Sequence, residues 1–232
     1  MKPLALFLLL CLLSCREQEK IMIIEPEAKA VTTVKDTPEY LADSLTISGK
    51  KYKIIQGFPT SKNHLNLSIL HKGDTVYRHN NFSGNGFEFK DFDGNGTMDI
   101  ELSYVTNIGG IKEWVVFDTT SKTFKEIRSF NKFPSSGKLA GTRYFYSDHN
   151  AGCGGGIWNS ELFYIDDFKA KAVSRISIIR CRDADYTHGV TIHKIDGINE
   201  RIVEQMVEVP EKFSSDSDFF STYWAENYKR FE

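Results

Sequence analysis

Short apolar runs separated by turn residues dominate the chain from residue 43 onward. Apolar and polar side chains alternate within these runs, as at Phe87, Glu88 and Phe89, and this period of two is typical of half-buried β-strands. Glycine, aspartate and asparagine fill the gaps, which favours antiparallel hairpins. We predict a mostly β fold, an antiparallel sheet, sandwich or barrel, with strands at 45–47, 52–55, 65–70, 75–77, 87–90, 100–105, 114–117, 124–127, 142–146, 160–165, 172–179, 190–195 and 201–209.

Aromatic side chains near the C-terminus follow a different period. They recur at steps of three and four residues, the spacing of one face of an α-helix. Ser215 or Asp216 is suited to cap this helix, and Asp218 in the first turn suits the helix dipole. We predict one helix at about 216–230 whose aromatic face packs against the sheet, with a partner-binding groove as the alternative. That face consists of Phe219, Phe220, Tyr223, Trp224, Tyr228 and Phe231.

The first fifteen residues match a bacterial lipoprotein signal. Lys2 precedes an apolar run at 4–13, which is too short for a bilayer span of about 20 residues. The run ends before Cys15 in a pattern that resembles a lipobox, in which the cysteine is acylated and becomes the first mature residue. Several acyl chains anchor a protein stably where a single chain is marginal.

These signals predict the organisation of the chain. We expect a signal peptide at 1–14, a lipidated Cys15 with a flexible tether at 15–42, and a single β-rich domain at 43–232. Arg16 after the cysteine resembles the outer-membrane sorting pattern. We therefore predict an outer-membrane lipoprotein of the bacterial envelope. Its domain is expected to face either the periplasm or the cell surface.

Charge and the histidine positions exclude some function classes. The 29 basic and 31 acidic residues give a net charge of −2, whereas a nucleic-acid binder usually shows a basic excess or stripe. His149, His188 and His193 are scattered, and no Ser-His-Asp or Cys-His arrangement has recognisable context. His188 and His193 give only a weak zinc signal. We predict a binding protein without nucleic acid as a partner, and not an enzyme.

An acidic loop between two predicted strands carries the clearest chemistry. Oxygen-bearing side chains fall at alternate positions, and Gly96 permits the sharp turn that aims the next carbonyl inward. This spacing is typical of calcium loops, in which a short segment supplies oxygens to one hard cation. A plain turn without metal is the alternative. We predict a structural Ca²⁺ held by Asp91, Asp93, Asn95, Thr97 and Asp99.

The flanks of this loop distinguish it from a helix–loop–helix site. Its twelfth position is Leu102 rather than a bidentate glutamate, and both flanks alternate as strands do. The arrangement resembles the strand–loop–strand sites of integrin-like repeats. Glu88, Glu113 or water is expected to replace the missing ligand.

The region around the loop is similar to a family of calcium-binding periplasmic β-proteins that inhibit lysozyme-like toxins and act as immunity proteins. The similarity covers roughly residues 80–180 and rests on the segment 87–96, the strand at 114–118 and the following Lys122, Phe124 and Lys125. The resemblance implies a β fold, calcium at the five loop positions, and a cell-wall hydrolase or toxin as the protein partner.

Two cysteines remain once Cys11 and Cys15 are assigned to the signal and the lipid. Cys153 and Cys181 form an even pair in an exported domain, which predicts a disulfide, with two buried thiols as the alternative. The glycine-rich segment around Cys153 is predicted to form a hairpin loop. His149, Asn150 and Trp158 are candidates to insert into a partner's cleft, although a structural loop is the simpler interpretation.

The combined prediction is a lipid-anchored envelope protein with a structural calcium site that binds a protein partner. We expect an inhibitor of, or an immunity protein against, a lysozyme-like cell-wall hydrolase. The alternatives are an envelope lipoprotein that binds or cleaves glycans, for which the sequence identifies no carboxylate pair, and a structural envelope lipoprotein.

The membrane anchor is testable by one substitution. Cys15→Ser should move the protein from the membrane fraction to the soluble envelope fraction, because the acyl chains are the expected anchor. Fractionation after a salt wash measures this. A variant that stays in the membrane pellet would refute the lipid anchor.

Overall fold

The computed structural model describes residues 40–57, 66–80, 84–181 and 187–232. The predicted signal peptide, Cys15 and most of the predicted tether lie outside these residues. The first strand begins at Tyr40, so residues 40–42 of the predicted tether belong to the sheet and pair with residues 55–57. Within the described ranges, no helix has the length and apolar content needed to cross a membrane.

The first two sheets are four-stranded antiparallel meanders. The first contains β1 Tyr40–Ile47, β2 Lys50–Gly57, β3 Asn66–His71 and β4 Asp74–Asn80, in that order. The second contains β5 Gly86–Lys90, β6 Asp99–Ser103, β7 Lys112–Asp118 and β8 Thr123–Glu126. Short hairpins connect most of these strands, as the turn residues predict. In the turn between β3 and β4, Lys72 and Gly73 both adopt positive φ.

The third sheet is also antiparallel and carries the C-terminal half of the chain. Its order is β15-β14-β13-β12-β10-β9, and β11 pairs with β12 beside this path. The predicted strand at 142–146 is shorter than expected and begins at Tyr144. The Thr142 hydroxyl forms a turn instead, because it donates to Leu139 O and accepts from Tyr144 N. The strands are β9 Gly137–Lys138, β10 Tyr144–Tyr146, β11 His149–Gly152, β12 Ile157–Asp166, β13 Lys169–Ile179, β14 Gly189–Asp196 and β15 Asn199–Met206.

The first two sheets pack face to face as a sandwich. Alternate residues of each strand point into the space between them, as expected for a pleated strand. The prediction of a mostly β fold with antiparallel sheets is therefore confirmed, in a sandwich-like form. The buried residues of this first core are Leu45, Ile47, Tyr52, Ile54, Leu67, Ile69, Ile100, Leu102, Val115, Phe117 and Phe124.

Strand β7 belongs to two cores at once. Val115 and Phe117 face the first sheet, whereas Trp114 and Val116 face the third. The opposite face of the second sheet is covered by aromatic residues of the third sheet and of the connecting segment. This second core consists of Trp114, Val116, Ile127, Phe130, Phe133, Phe145, Phe163 and Ala170.

The predicted C-terminal helix is confirmed as α1 Asp216–Asn227, followed by a 3-10 turn at Tyr228–Phe231. Ser215 caps it by accepting a hydrogen bond from Asp218 N at 3.1 Å. The aromatic face packs against the third sheet, as predicted. Trp224 is fully buried, and its Nε1 donates to Ser160 Oγ on β12 at 2.7 Å, so the indole satisfies its polar atom inside the core.

The predicted disulfide between Cys153 and Cys181 is confirmed, with a sequence separation of 28 residues. Cys181 is buried after β13, and Cys153 lies in a 3-10 turn between β11 and β12. The bridge therefore connects the β11–β12 loop to the end of the neighbouring strand.

Removal of this bridge should destabilise the domain in a non-additive way. Cys153→Ala and Cys181→Ala each delete the same cross-link, so each should lower the free energy of unfolding by about 3 kcal/mol and the double variant by little more. Denaturant unfolding measures this. Reductant should lower the stability of the wild type and leave the variants unchanged; a double variant that shows the sum of both single losses would contradict the prediction.

Candidate metal centre

The acidic loop joins β5 to β6 at the end of the second sheet. Lys90, the last residue of β5, pairs with Asp99, the first residue of β6, so the loop closes on a fixed hairpin base. Gly94 and Gly96 adopt φ of 79° and 81°, a left-handed conformation that glycine tolerates and most side chains do not. These two glycines allow the tight winding that the sequence predicts.

Hydrogen bonds hold the exposed carboxylates of the loop in place. Asp91 Oδ1 accepts from Gly94 N at 2.8 Å and Asn95 N at 3.1 Å, and Asp91 Oδ2 accepts from Gly96 N at 2.8 Å. Asp93 Oδ2 accepts from Asn95 Nδ2 at 2.9 Å, and Asn95 Oδ1 accepts from Thr97 N at 2.7 Å. Four of the five predicted ligand positions, Asp91, Asp93, Asn95 and Thr97, thus share one local network.

Asp99 connects this loop to the centre of the second sheet. The residue is 1% exposed, and its oxygens accept from Phe117 N on β7 at 2.9 Å and from Phe92 N at 3.1 Å. Burial, with smaller contributions from Asp93 and Asp91, raises the pKa of Asp99 to about 6. At neutral pH the ionised carboxylate therefore costs folding stability, and a bound cation would offset that cost.

The donor set fits a calcium ion. One carboxylate oxygen from each of Asp91, Asp93 and Asp99 lies within 4.8 Å of the other two. Two oxygens that share a Ca²⁺ at 2.3–2.6 Å are at most about 5 Å apart. All three aspartates can therefore reach one ion, with an all-oxygen donor set that suits a hard cation.

The two glutamates expected to supply a further ligand do not join this group. Glu88 is exposed and pairs with Lys90 Nζ at 2.7 Å. Glu113 lies beside His79, with 3.1 Å between His79 Nε2 and Glu113 Oε2. Water is the remaining candidate that the sequence suggested for the open coordination positions.

A hollow of about 170 Å³ lies directly beside the loop, between the second and third sheets. Lys90, Lys112 and Lys138 line it together with aromatic side chains that include Trp114 and Phe145. Lys138 Nζ stacks over the Phe145 ring at 4.2 Å, and burial lowers the pKa of this lysine.

A buried carboxylate anchors the other two lysines of the hollow. Glu101 on β6 is 4% exposed. Its oxygens accept from Lys90 Nζ at 2.8 Å and from Lys112 Nζ at 3.0 Å. Asp91 also lines the hollow, so its lining contains three lysines and two carboxylates.

The three residues predicted to form a partner loop have mostly internal contacts. His149 Nδ1 lies 3.8 Å from Glu161 Oε2, and the His149 side chain is only 11% exposed. Asn150 Oδ1 accepts from Gly152 N at 3.1 Å. Trp158 is half-buried against the core between α1 and the third sheet, and its Nε1 donates to Gly155 O at 3.0 Å. Their role in partner binding stays a prediction.

The structure assembles a second group of metal-ligating side chains that the sequence did not reveal. His79, Glu113 and Glu126 come from three different strands, and one ligand atom of each lies within 4.8 Å of the others. No local spacing links residues so far apart in the chain. Of the histidines that gave a weak zinc signal, His188 is exposed and His193 Nδ1 pairs with Glu200 Oε1 at 3.1 Å.

No protein-family model matches this sequence, and comparison with curated proteins finds no match. Among solved structures, the chain is similar to one described as "Structure of a Xanthomonas Type IV Secretion System related protein". The identity is 12%, the TM-score is 0.45, and the alignment covers 70% of this chain and 93% of that chain. A likeness this distant carries no information on the function of this chain.

Calcium should stabilise the folded domain measurably. A ligand that binds only the folded state at a hundredfold excess over its Kd adds about 2.7 kcal/mol. We expect a higher melting temperature in millimolar Ca²⁺ than in chelator, and a weaker effect of Mg²⁺, which demands tighter octahedral geometry.

Two variants assign this shift to the loop. Asp93→Ala should abolish most of the calcium-dependent shift because it removes one of the three converging carboxylates. Asp196→Ala, at the exposed last residue of β14, should keep the shift. Melting curves of the wild type that coincide in calcium and in chelator would refute the calcium site.

Proposed function

We propose that this chain is a lipid-anchored protein of the bacterial envelope that binds and inhibits a lysozyme-like cell-wall hydrolase, as an inhibitor or an immunity protein. In this proposal a structural Ca²⁺ in the Asp91–Asp99 loop stabilises the surface that contacts the partner. The observation that carries the proposal is the lysine-lined hollow directly beside the converging aspartates.

The chemistry of the partner follows from these lysines. Glycoside hydrolases cleave their substrates with a pair of carboxylates in a cleft. A surface with three lysines complements such an acidic cleft, and complementary charge gives specificity and fast association.

The calcium loop and the hollow are mechanically connected. Lys90 directly precedes Asp91, and Asp99 bonds the backbone of β7, the strand that carries Lys112 and Trp114. A bound ion would hold the loop against the two strands that present Lys90 and Lys112. Loss of calcium should therefore weaken partner binding indirectly, through the positions of these strands.

A glycan ligand is the second candidate function. An aromatic ring beside polar side chains is suited to stack on and hydrogen-bond a sugar, and the hollow presents the half-buried Phe92 beside its lysines. The two candidates differ in whether a folded hydrolase or the cell-wall polymer itself is bound.

An inhibition assay with matched lysine variants tests the proposal. The purified protein with calcium should inhibit peptidoglycan hydrolysis by at least one enzyme from a panel of lysozyme classes. Lys112→Ala combined with Lys138→Ala should weaken inhibition about tenfold or more, equivalent to about 1.4 kcal/mol, because two cations are lost from the contact.

The control variant replaces two lysines that lie far from the hollow. Lys50→Ala combined with Lys51→Ala, in the first hairpin of the first sheet, should leave inhibition unchanged. Binding to soluble peptidoglycan fragments without inhibition of any lysozyme would favour the glycan candidate. An absence of both activities would contradict the proposed function.

A further inference from the structure

We propose that His79, Glu113 and Glu126 form a second metal site, which binds Zn²⁺ independently of the calcium loop. His79 lies near the end of β4, at the edge of the first sheet. Glu113 lies on β7 and Glu126 ends β8, at the edge of the second sheet. The site therefore spans the two layers of the sandwich along one side.

The strand registers explain why these three side chains meet. Glu113 lies two residues before Val115 on β7, and Glu126 is the cross-strand partner of Val115 on β8. Val115 belongs to the core between the sheets, so both glutamates are on the inward face. His79 lies two residues after Tyr77, which packs against the same core, and so faces inward from the opposite sheet.

Two of the three ligand separations are close to those of a tetrahedral zinc site. His79 Nε2 lies 3.1 Å from Glu113 Oε2 and 3.8 Å from Glu126 Oε2. Zinc bonds to histidine nitrogen and carboxylate oxygen are about 2.0–2.2 Å long, which places adjacent ligands of a tetrahedron about 3.3 Å apart. The ligand atoms of all three side chains lie within 4.8 Å of one another, so rotamer adjustments would bring them to a single ion.

The donor types select the class of metal. An imidazole nitrogen with carboxylate oxygens suits zinc and other first-row transition ions, whereas Ca²⁺ and Mg²⁺ prefer oxygen alone. The loop at Asp91–Asp99 offers only oxygen. The two sites are thus expected to take different ions.

Hydrogen bonds from neighbouring side chains orient Glu113, the central ligand of this group. Glu113 Oε1 accepts from Asn131 Nδ2 at 2.8 Å, and Oε2 accepts from the Tyr104 hydroxyl. Such supporting donors are typical of metal-ligating carboxylates, whose orientation they hold.

Three protein ligands leave the fourth tetrahedral position open. The His79 and Glu113 side chains are 11% and 12% exposed, but Glu126 is 38% exposed, so the site opens to solvent on the Glu126 side. Water or a side chain of a binding partner can complete the coordination from that direction.

Zinc binding to the untagged, full-length protein tests this inference. After dialysis against ZnCl₂ and then metal-free buffer containing excess Ca²⁺, the wild type should retain one equivalent of zinc by elemental analysis. Substitution with Co²⁺ should give the visible absorption of a low-coordinate cobalt site. His79→Gln and Glu126→Gln should each lower zinc affinity at least about tenfold.

Matched variants separate this site from other groups. His193→Gln removes a histidine that also pairs with a glutamate at 3.1 Å, and it should bind zinc like the wild type. Asp93→Ala should also bind zinc normally, because its carboxylate belongs to the calcium loop. Glu126→Gln, at the most exposed ligand, provides the decisive variant if His79→Gln fails to fold. Wild-type protein that retains no zinc, or wild-type affinity in Glu126→Gln, would overturn the proposal.

Discussion

The burial of β7 on both faces is the constraint on which the rest of this structure depends. Its odd-numbered residues complete the core with the first sheet, and its even-numbered residues form the core with the third. A strand in this position has no polar face, so its side chains are apolar or, like Glu113, have specific partners. Any shift of β7 would disturb two cores together, because interiors are close-packed.

Asp99 connects the acidic loop to this central strand. Its carboxylate accepts the Phe117 amide from inside the sheet, so the loop is attached to the most constrained element. The same attachment buries a negative charge beside two other aspartates, which is unfavourable without a counter-charge. A cation in the loop would convert that cost into a stabilising contact, and the loop geometry is compatible with calcium.

The sandwich leaves polar groups on opposite sides of β7, with different chemistry. Towards the third sheet, lysines and aromatic rings surround a hollow beside the acidic loop. Towards the first sheet, His79 and two glutamates converge where the sheet edges meet. We propose partner binding at the first region and a transition metal at the second.

The sequence by itself determined the elements that depend on local pattern. The alternating strands, the aromatic helix with its Ser215 cap, the acidic loop and the cysteine pair all follow from short-range spacing or from residue counts. The packing of one sheet on another does not follow from local pattern. The position of β7 between two layers depends on residues that are far apart in the chain. The lysine hollow and the His79, Glu113 and Glu126 group therefore emerge only in the tertiary structure, where strand register and sheet packing decide which distant side chains meet.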